Sequence, residues 1–168
     1  MSDDALITPV DVEPAHEREL VLGFLITASP EAIYRCWTDP ELLVKWFAPK
    51  PFETRVVSQD FRVGGRQEIA MKDPASGAEF PASGVFLEIV PNRKIVSTDA
   101  FNADWQPVEG TPFMVAQTTF EPQPDGRTLY IARARHWTDE KREQHVQMGF
   151  HPGWTQCAHQ LAELAASL

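Results

Sequence analysis

The side chains best suited to moving a proton are three histidines, His136, His145 and His151, which straddle the junction of a strand-like and a helix-like stretch near Arg133. An imidazole with an ordinary pKa near 6.5 can serve as acid or base at neutral pH, so any of them facing a pocket could take part in proton transfer. Their spacing does not build a metal centre. Metal-binding histidines share one helix face or pair with carboxylates in a short motif, and intervals of nine and six across a helix break need not converge. No metal and no cofactor is expected. Nucleophile signatures are missing too: Ser76-Gly77 and Ser83-Gly84 lack the G-x-S-x-G frame, and Cys157, two residues before His159, has no third group to orient the pair. Cys36 and Cys157 lie in apolar helical contexts and read as small buried hydrophobes. Gly64-Gly65 suits a turn that needs positive φ, but neither phosphate-binding glycine motif occurs. Asp60 and Arg62 flank Phe61 with two-residue spacing, which reads as a structural ion pair beside that turn. No catalytic residue is assigned.

The stronger candidates are aromatic. Trp37, Trp46, Phe47, Phe61, Phe86, Phe101, Trp105, Phe150 and Trp154, with His136 and Met148, form a set that could line an interior cavity for a small hydrophobic or aromatic molecule. The same rings at helical or strand spacing are also ordinary core material. Trp105 lies in a long connection between Phe101 and Phe113 and is a candidate lid.

These residues must be positioned by elements that the pattern makes legible. Residues 1–18 mix Asp, Glu, Pro and His without apolar periodicity and read as an acidic leader, with residues 19–168 as a single domain. Leu20 to Ile26 is a strand-like apolar run. Ser29-Pro30 caps a helix over 31–38, and Asp39-Pro40 starts a second short one in which Leu42, Leu43, Trp46 and Phe47 share a face. From Phe52 to Trp137 turn residues divide about six further strands, expected as an antiparallel meander. Asp139-Glu140 opens a helix over 139–147, and Pro152 forces a break before a longer helix from about 150–152 to the end, since proline inside one continuous helix would cost about 3 kcal/mol. The run from Leu20 to Ile26 is apolar on both faces, so either another segment covers its outer side or a homodimer contact does.

Bulk properties narrow the partners. With 168 residues and 43% apolar side chains, one domain can stand without disulfides or metal. A net charge of −9 repels a phosphate backbone, so no nucleic-acid partner is expected. The start at Met1-Ser2-Asp3-Asp4 lacks a basic and apolar leader sequence, and no stretch reaches the roughly 18 uninterrupted apolar residues of a membrane span, so a cytoplasmic location without membrane insertion is expected.

Read in order, Glu31 to Lys50, Asp60-Phe-Arg-Val-Gly-Gly65 and Met148-Gly-Phe-His-Pro-Gly-Trp154, supported by Gly84 to Pro91 and Thr128 to His136, resemble the activator of heat-shock-protein ATPase homologue-like domains of the START/SRPBCC superfamily. The resemblance spans about residues 19–168. It implies an α+β helix-grip fold: a curved antiparallel sheet of six to seven strands around a long C-terminal helix, two short helices after the first strand, and a cavity between sheet and helix. Three positions depart from the pattern: Phe24 where many relatives carry Arg, Phe47 where a second Trp is frequent, and Val63 where Pro is usual. The expected function is non-catalytic binding of a small hydrophobic ligand. Two alternatives follow from the superfamily: a cyclase- or hydratase-type enzyme using His136 or His145 with Arg133, and a chaperone-associated interaction module.

Overall fold

The computed structural model describes residues 6–168, so the reading of Met1 to Asp4 lies outside the described residues. An eight-stranded antiparallel sheet runs in the order β1-β2-β10-β9-β6-β5-β4-β3. Its strands are β1 (Ile7–Val10), β2 (Glu19–Ile26), β3 (Glu53–Gln59), β4 (Arg66–Lys72), β5 (Glu79–Val90), β6 (Lys94–Thr98), β9 (Met114–Pro122) and β10 (Thr128–His136). A separate ribbon pairs β7 (Phe101–Asn102) with β8 (Gln106–Pro107) around a single 3-10 turn. Strands β3 to β6, β9 and β10 form the expected meander, and β2 joins it alongside the last strand. Register shifts between Val56 and Ser58 and between Phe86 and Glu88 bend the sheet.

The strand count exceeds the expected six to seven. The ribbon is too short to punctuate, and β1 lies inside the stretch read as leader. Ile7-Thr8-Pro9-Val10 is a brief run beside acidic residues, and Pro9 is tolerated because β1 is an edge strand paired only with β2. From Val10 the chain crosses the outer face of β2, where a side chain on Gly23 would strike Val12. Val12 of the leader thus lies over Gly23 on that apolar face.

Four helices among the described residues follow local chemistry. In α1 (Pro30–Thr38) the Ser29 hydroxyl accepts the Ala32 N–H at 3.1 Å, and in α2 (Pro40–Leu43) the Asp39 carboxylate accepts the Glu41 N–H at 3.0 Å. Thr138 caps α3 (Asp139–Gln147), and Gly149, at φ 93°, breaks the chain before α4 (Phe150–Ala166), which tolerates Pro152 in its first turn. Helix α4 buries Phe150, Cys157, Ala158, Leu161, Ala162 and Ala165, a stripe at helical spacing that packs on the concave face. The small residues in that stripe let the helix settle closely, and Leu161 alone contributes about 2 kcal/mol by leaving water. Among the described residues no helix is long and apolar enough to cross a membrane.

Candidate functional site

Alternation along the strands sorts the candidate residues. On β10, Tyr130, Ala132, Ala134 and His136 face the concavity, while Arg133 and Arg135 take the convex side with Glu19. Arg133 therefore does not meet the histidines. Its guanidinium donates to the buried Glu19 carboxylate at 2.7 Å, Arg135 donates at 2.9 Å, and the Ala15 N–H donates at 2.7 Å. Burial alone would raise the Glu19 pKa, but these three bonds together hold it below the usual carboxylate value. The enzyme constellation of pocket histidine plus Arg133 is not assembled, because residues three apart on a strand point to opposite faces.

The rings fall into separate groups. Trp37, Trp46 and Phe47 pack edge-on at 4.9–6.2 Å between α1, the turn after α2 and the inner face, and the Trp46 N–H donates to the Cys36 carbonyl at 2.9 Å. Phe61 sits 4.6 Å from Phe86 and 5.9 Å from Tyr34, turned inward from the Asp60–Gly65 turn. The Arg62 to Asp60 ion pair, at 2.6 Å, is exposed on the other side of that turn. A Cβ on Gly65 would strike the Asp60 carbonyl, and Gly64 adopts φ 79°, so the turn requires both glycines. Phe150 and Trp154 pack 4.5 Å apart at the head of α4.

Three members of the predicted set stand outside the interior: Met148, Trp105 and Phe101, which is half-buried on the surface ribbon and joins neither core cluster. Met148 closes α3 at a helix end facing water and is 67% exposed. Trp105 packs against Phe101 and the Gly64 backbone on the surface ribbon and is 47% exposed, so it caps the Asp60–Gly65 turn rather than a cavity mouth. Two concavities, of about 230 and 280 Å³, are lined by residues around β1 and β2 together with Thr155 of α4, and by the polar turn near Arg62 and Asp104. Neither is lined by the ring set, whose interior members pack on one another beneath α4.

Within that packed interior several polar atoms lack well-formed hydrogen bonds. Trp37 Nε1, Gln59 Nε2 and Gln67 Nε2 are buried without a hydrogen bond among the described residues. Gln59 and Gln67 are cross-strand neighbours, and Gln67 alternates with the core residue Ile69, so the pair faces inward. The nearest candidate partner for Trp37 is the Tyr130 hydroxyl, with which it interacts. Burial pushes that hydroxyl far above the ordinary tyrosine range, against the opposing influence of Trp37 and Thr118. Sequence reasoning passed over Tyr34, Tyr130, Gln59 and Gln67. Tyr130 was within reach by alternation on β10, whereas the glutamines depend on a bulge at Val57 that no local pattern announces.

His136 and His145 do converge. His136 Nε2 lies 2.9 Å from His145 Nδ1, and His136 Nδ1 lies 2.9 Å from the Arg18 carbonyl. Both rings are 6% exposed. Phe113, Phe150 and Trp154 pack around His145 at 5.0–5.6 Å. Burial above all, then the neighbouring His136 and His151, pulls the His145 pKa down to about 4. Burial also lowers that of His136, helped by Arg142 and opposed by the bond to Arg18. Among the described residues no group of three or more His, Cys, Asp or Glu is placed to hold a metal ion.

The arrangement matches known proteins over most of its length. The profile of the family described as Activator of Hsp90 ATPase homolog 1-like protein matches residues 27–166. A crystal structure of a Nitrosomonas europaea protein is 36% identical, with a TM-score of 0.83 over 90% of this chain and 97% of that one. A Chromobacterium violaceum protein is 30% identical, with a TM-score of 0.68 over 87% and 96%. The solution structure of an Aeromonas hydrophila protein described as AHSA1-like is 18% identical, with a TM-score of 0.64 over 89% and 92%, and shows the shared fold. A search of curated proteins found no match. With the family profile covering both the two short helices and the grip helix, the chain belongs to the Activator of Hsp90 ATPase homolog 1-like family.

Proposed function

We propose that the domain binds a small, largely apolar or aromatic molecule, without catalysis, between α4 and the concave face of the sheet. One observation carries this reading: Gln59 Nε2 and Gln67 Nε2 are buried donors without acceptors among the described residues, and Trp37 Nε1 has no well-formed hydrogen bond beyond its interaction with Tyr130. Folded proteins leave few such groups, and each costs about 1–3 kcal/mol. A ligand with one or two neutral acceptor oxygens and an apolar body relieves that cost while the rings shelter its body. A carboxylate fits less well, because no side chain described as facing this interior carries a positive charge to offset its desolvation. The rings pack on one another at 4.6–6.2 Å in the free protein, so binding must part them, and tryptophan emission reports the change.

The test is a thermal-shift and fluorescence titration with aromatic ketones and quinones beside their parent hydrocarbons. The carbonyl compounds should raise the melting temperature and quench emission. Trp37→Phe, which keeps a ring but removes the donor, should weaken binding about tenfold, the equivalent of one hydrogen bond. A flat response across the panel would sink the reading.

A further inference from the structure

The two buried imidazoles join three parts of the molecule that the ligand reading does not use. His136 is the last residue of β10, His145 lies in the last turn of α3, and the Arg18 carbonyl belongs to the leader just before β2. The hydrogen-bond geometry fixes the protons. A carbonyl accepts only, so His136 Nδ1 carries hydrogen and its Nε2 is bare; that Nε2 must then accept the Nδ1–H of His145. Both rings are satisfied while neutral, and His145 Nε2 is the remaining basic nitrogen. A first added proton enters there. A second would have to sit on His136 Nε2, directly opposite the His145 N–H at 2.9 Å, and the bond between the rings would fail.

Apart from the Arg18 carbonyl, which favours charge on His136, the neighbours of the pair oppose it. Lys141, from α3, lies 5.8 Å from the Phe113 ring that covers both histidines, and Arg142 of the same helix disfavours charge on His136. From α4 comes His151, which disfavours charge on His145. The Arg18 guanidinium turns away to Asp139 at 3.0 Å, leaving only its carbonyl toward the pair. Arg135 of β10 faces the opposite side with Glu19, and at the start of β9 Phe113 and Met114 bring up the Asp99 carboxylate, which is occupied by their own N–H groups at 2.9–3.1 Å. No carboxylate bonds either ring among the described residues.

We propose that His136 and His145 form an acid-triggered latch: neutral, they fasten the leader and the α3–α4 junction to the end of β10, and acid, by favouring the open state in which both imidazoles can carry a proton, parts the rings and frees both segments while the sheet stays folded. Phe150 and Trp154, which pack on His145, begin α4, so the latch governs how firmly the grip helix is held at its N-terminal end.

The test uses the full chain without any ligand. Nitrogen-15 NMR of the imidazoles at pH 7.5 should show both rings as Nδ1–H tautomers, with neither titrating at the free-histidine value. Amide hydrogen exchange, corrected for intrinsic rates, is then compared between pH 7.5 and pH 4.5. Residues 11–18 and 139–154 should lose protection about tenfold or more, while β5, β6 and β9 keep theirs. His145→Phe, which fills the space with an uncharged ring, should lose most of that acid response at 139–154. Rings that titrate like free histidine, an unchanged exchange pattern, or a protection loss spread evenly over the sheet would each overturn the latch. If the variant fails to fold, the wild-type tautomers and exchange map decide the matter alone.

Discussion

Replacing Glu19 puts the convex-face network under direct test. Its carboxylate is fully buried and accepts from Arg133, Arg135 and the Ala15 N–H at 2.7–2.9 Å. Removing one partner of a buried ion pair costs about 3–5 kcal/mol, but the Arg133 and Arg135 side chains are 17% and 33% exposed and recover some hydration. Glu19→Ala should therefore lose about 3 kcal/mol, and Glu19→Gln, which keeps an acceptor without the charge, about half of that. For a chain of this size the alanine variant should melt roughly 6–12 °C lower. Urea denaturation at pH 7.5, followed by circular dichroism, reads the difference. In the double variant Glu19→Ala/Arg133→Ala the two losses should fall short of additivity by at least about 1 kcal/mol. The sign with pH follows from the lowered Glu19 pKa: the stabilisation is present above the ordinary carboxylate value of 4.5 and disappears as pH falls through the folded value. A loss below about 1 kcal/mol, or strict additivity, would refute the view that this network ties the leader to β2.

Burial pushes the Cys36 and Cys157 thiols up to about 11 and about 12, so neither should react with a disulfide reagent at pH 8 until urea unfolds the chain, and the reaction trace reads this directly. Gln160 reaches from α4 to the carbonyls of Trp46 and Ala48 at 3.0 and 2.8 Å and accepts the Lys50 N–H at 3.1 Å. Gln160→Ala should cost about 2 kcal/mol in urea denaturation and shift Trp46 emission, because three backbone groups lose their partner.

Much of the architecture could be read from local chemistry. Ser29-Pro30, Asp39-Pro40 and Gly149 to Pro152 carry their own start and stop instructions, and the structure places helix ends at each. Strand β1 escaped because its four residues interrupt an acidic stretch with a proline, and an edge strand needs only a neighbour to pair with. The site was less legible. Ring types were visible, but which rings meet depends on how α1, the Asp60–Gly65 turn and α4 dock, and Met148, Phe101 and Trp105 fell on the wrong side of that docking. Strand parity sets Arg133 opposite His136, which the grouping of the two in one pocket overlooked, whereas the meeting of His136 and His145 required knowing that α3 folds back over the end of β10.

Strand β2 is threaded between β1 and β10, with its backbone matched to β10 from Thr128 opposite Ile26 to Arg135 opposite Glu19. A shortened gene product beginning after Ile26 would strip that partner away. The bared amides and carbonyls of β10 would then recruit strands from other molecules, so inclusion bodies, rather than a trimmed soluble domain, are the natural outcome of such a truncation.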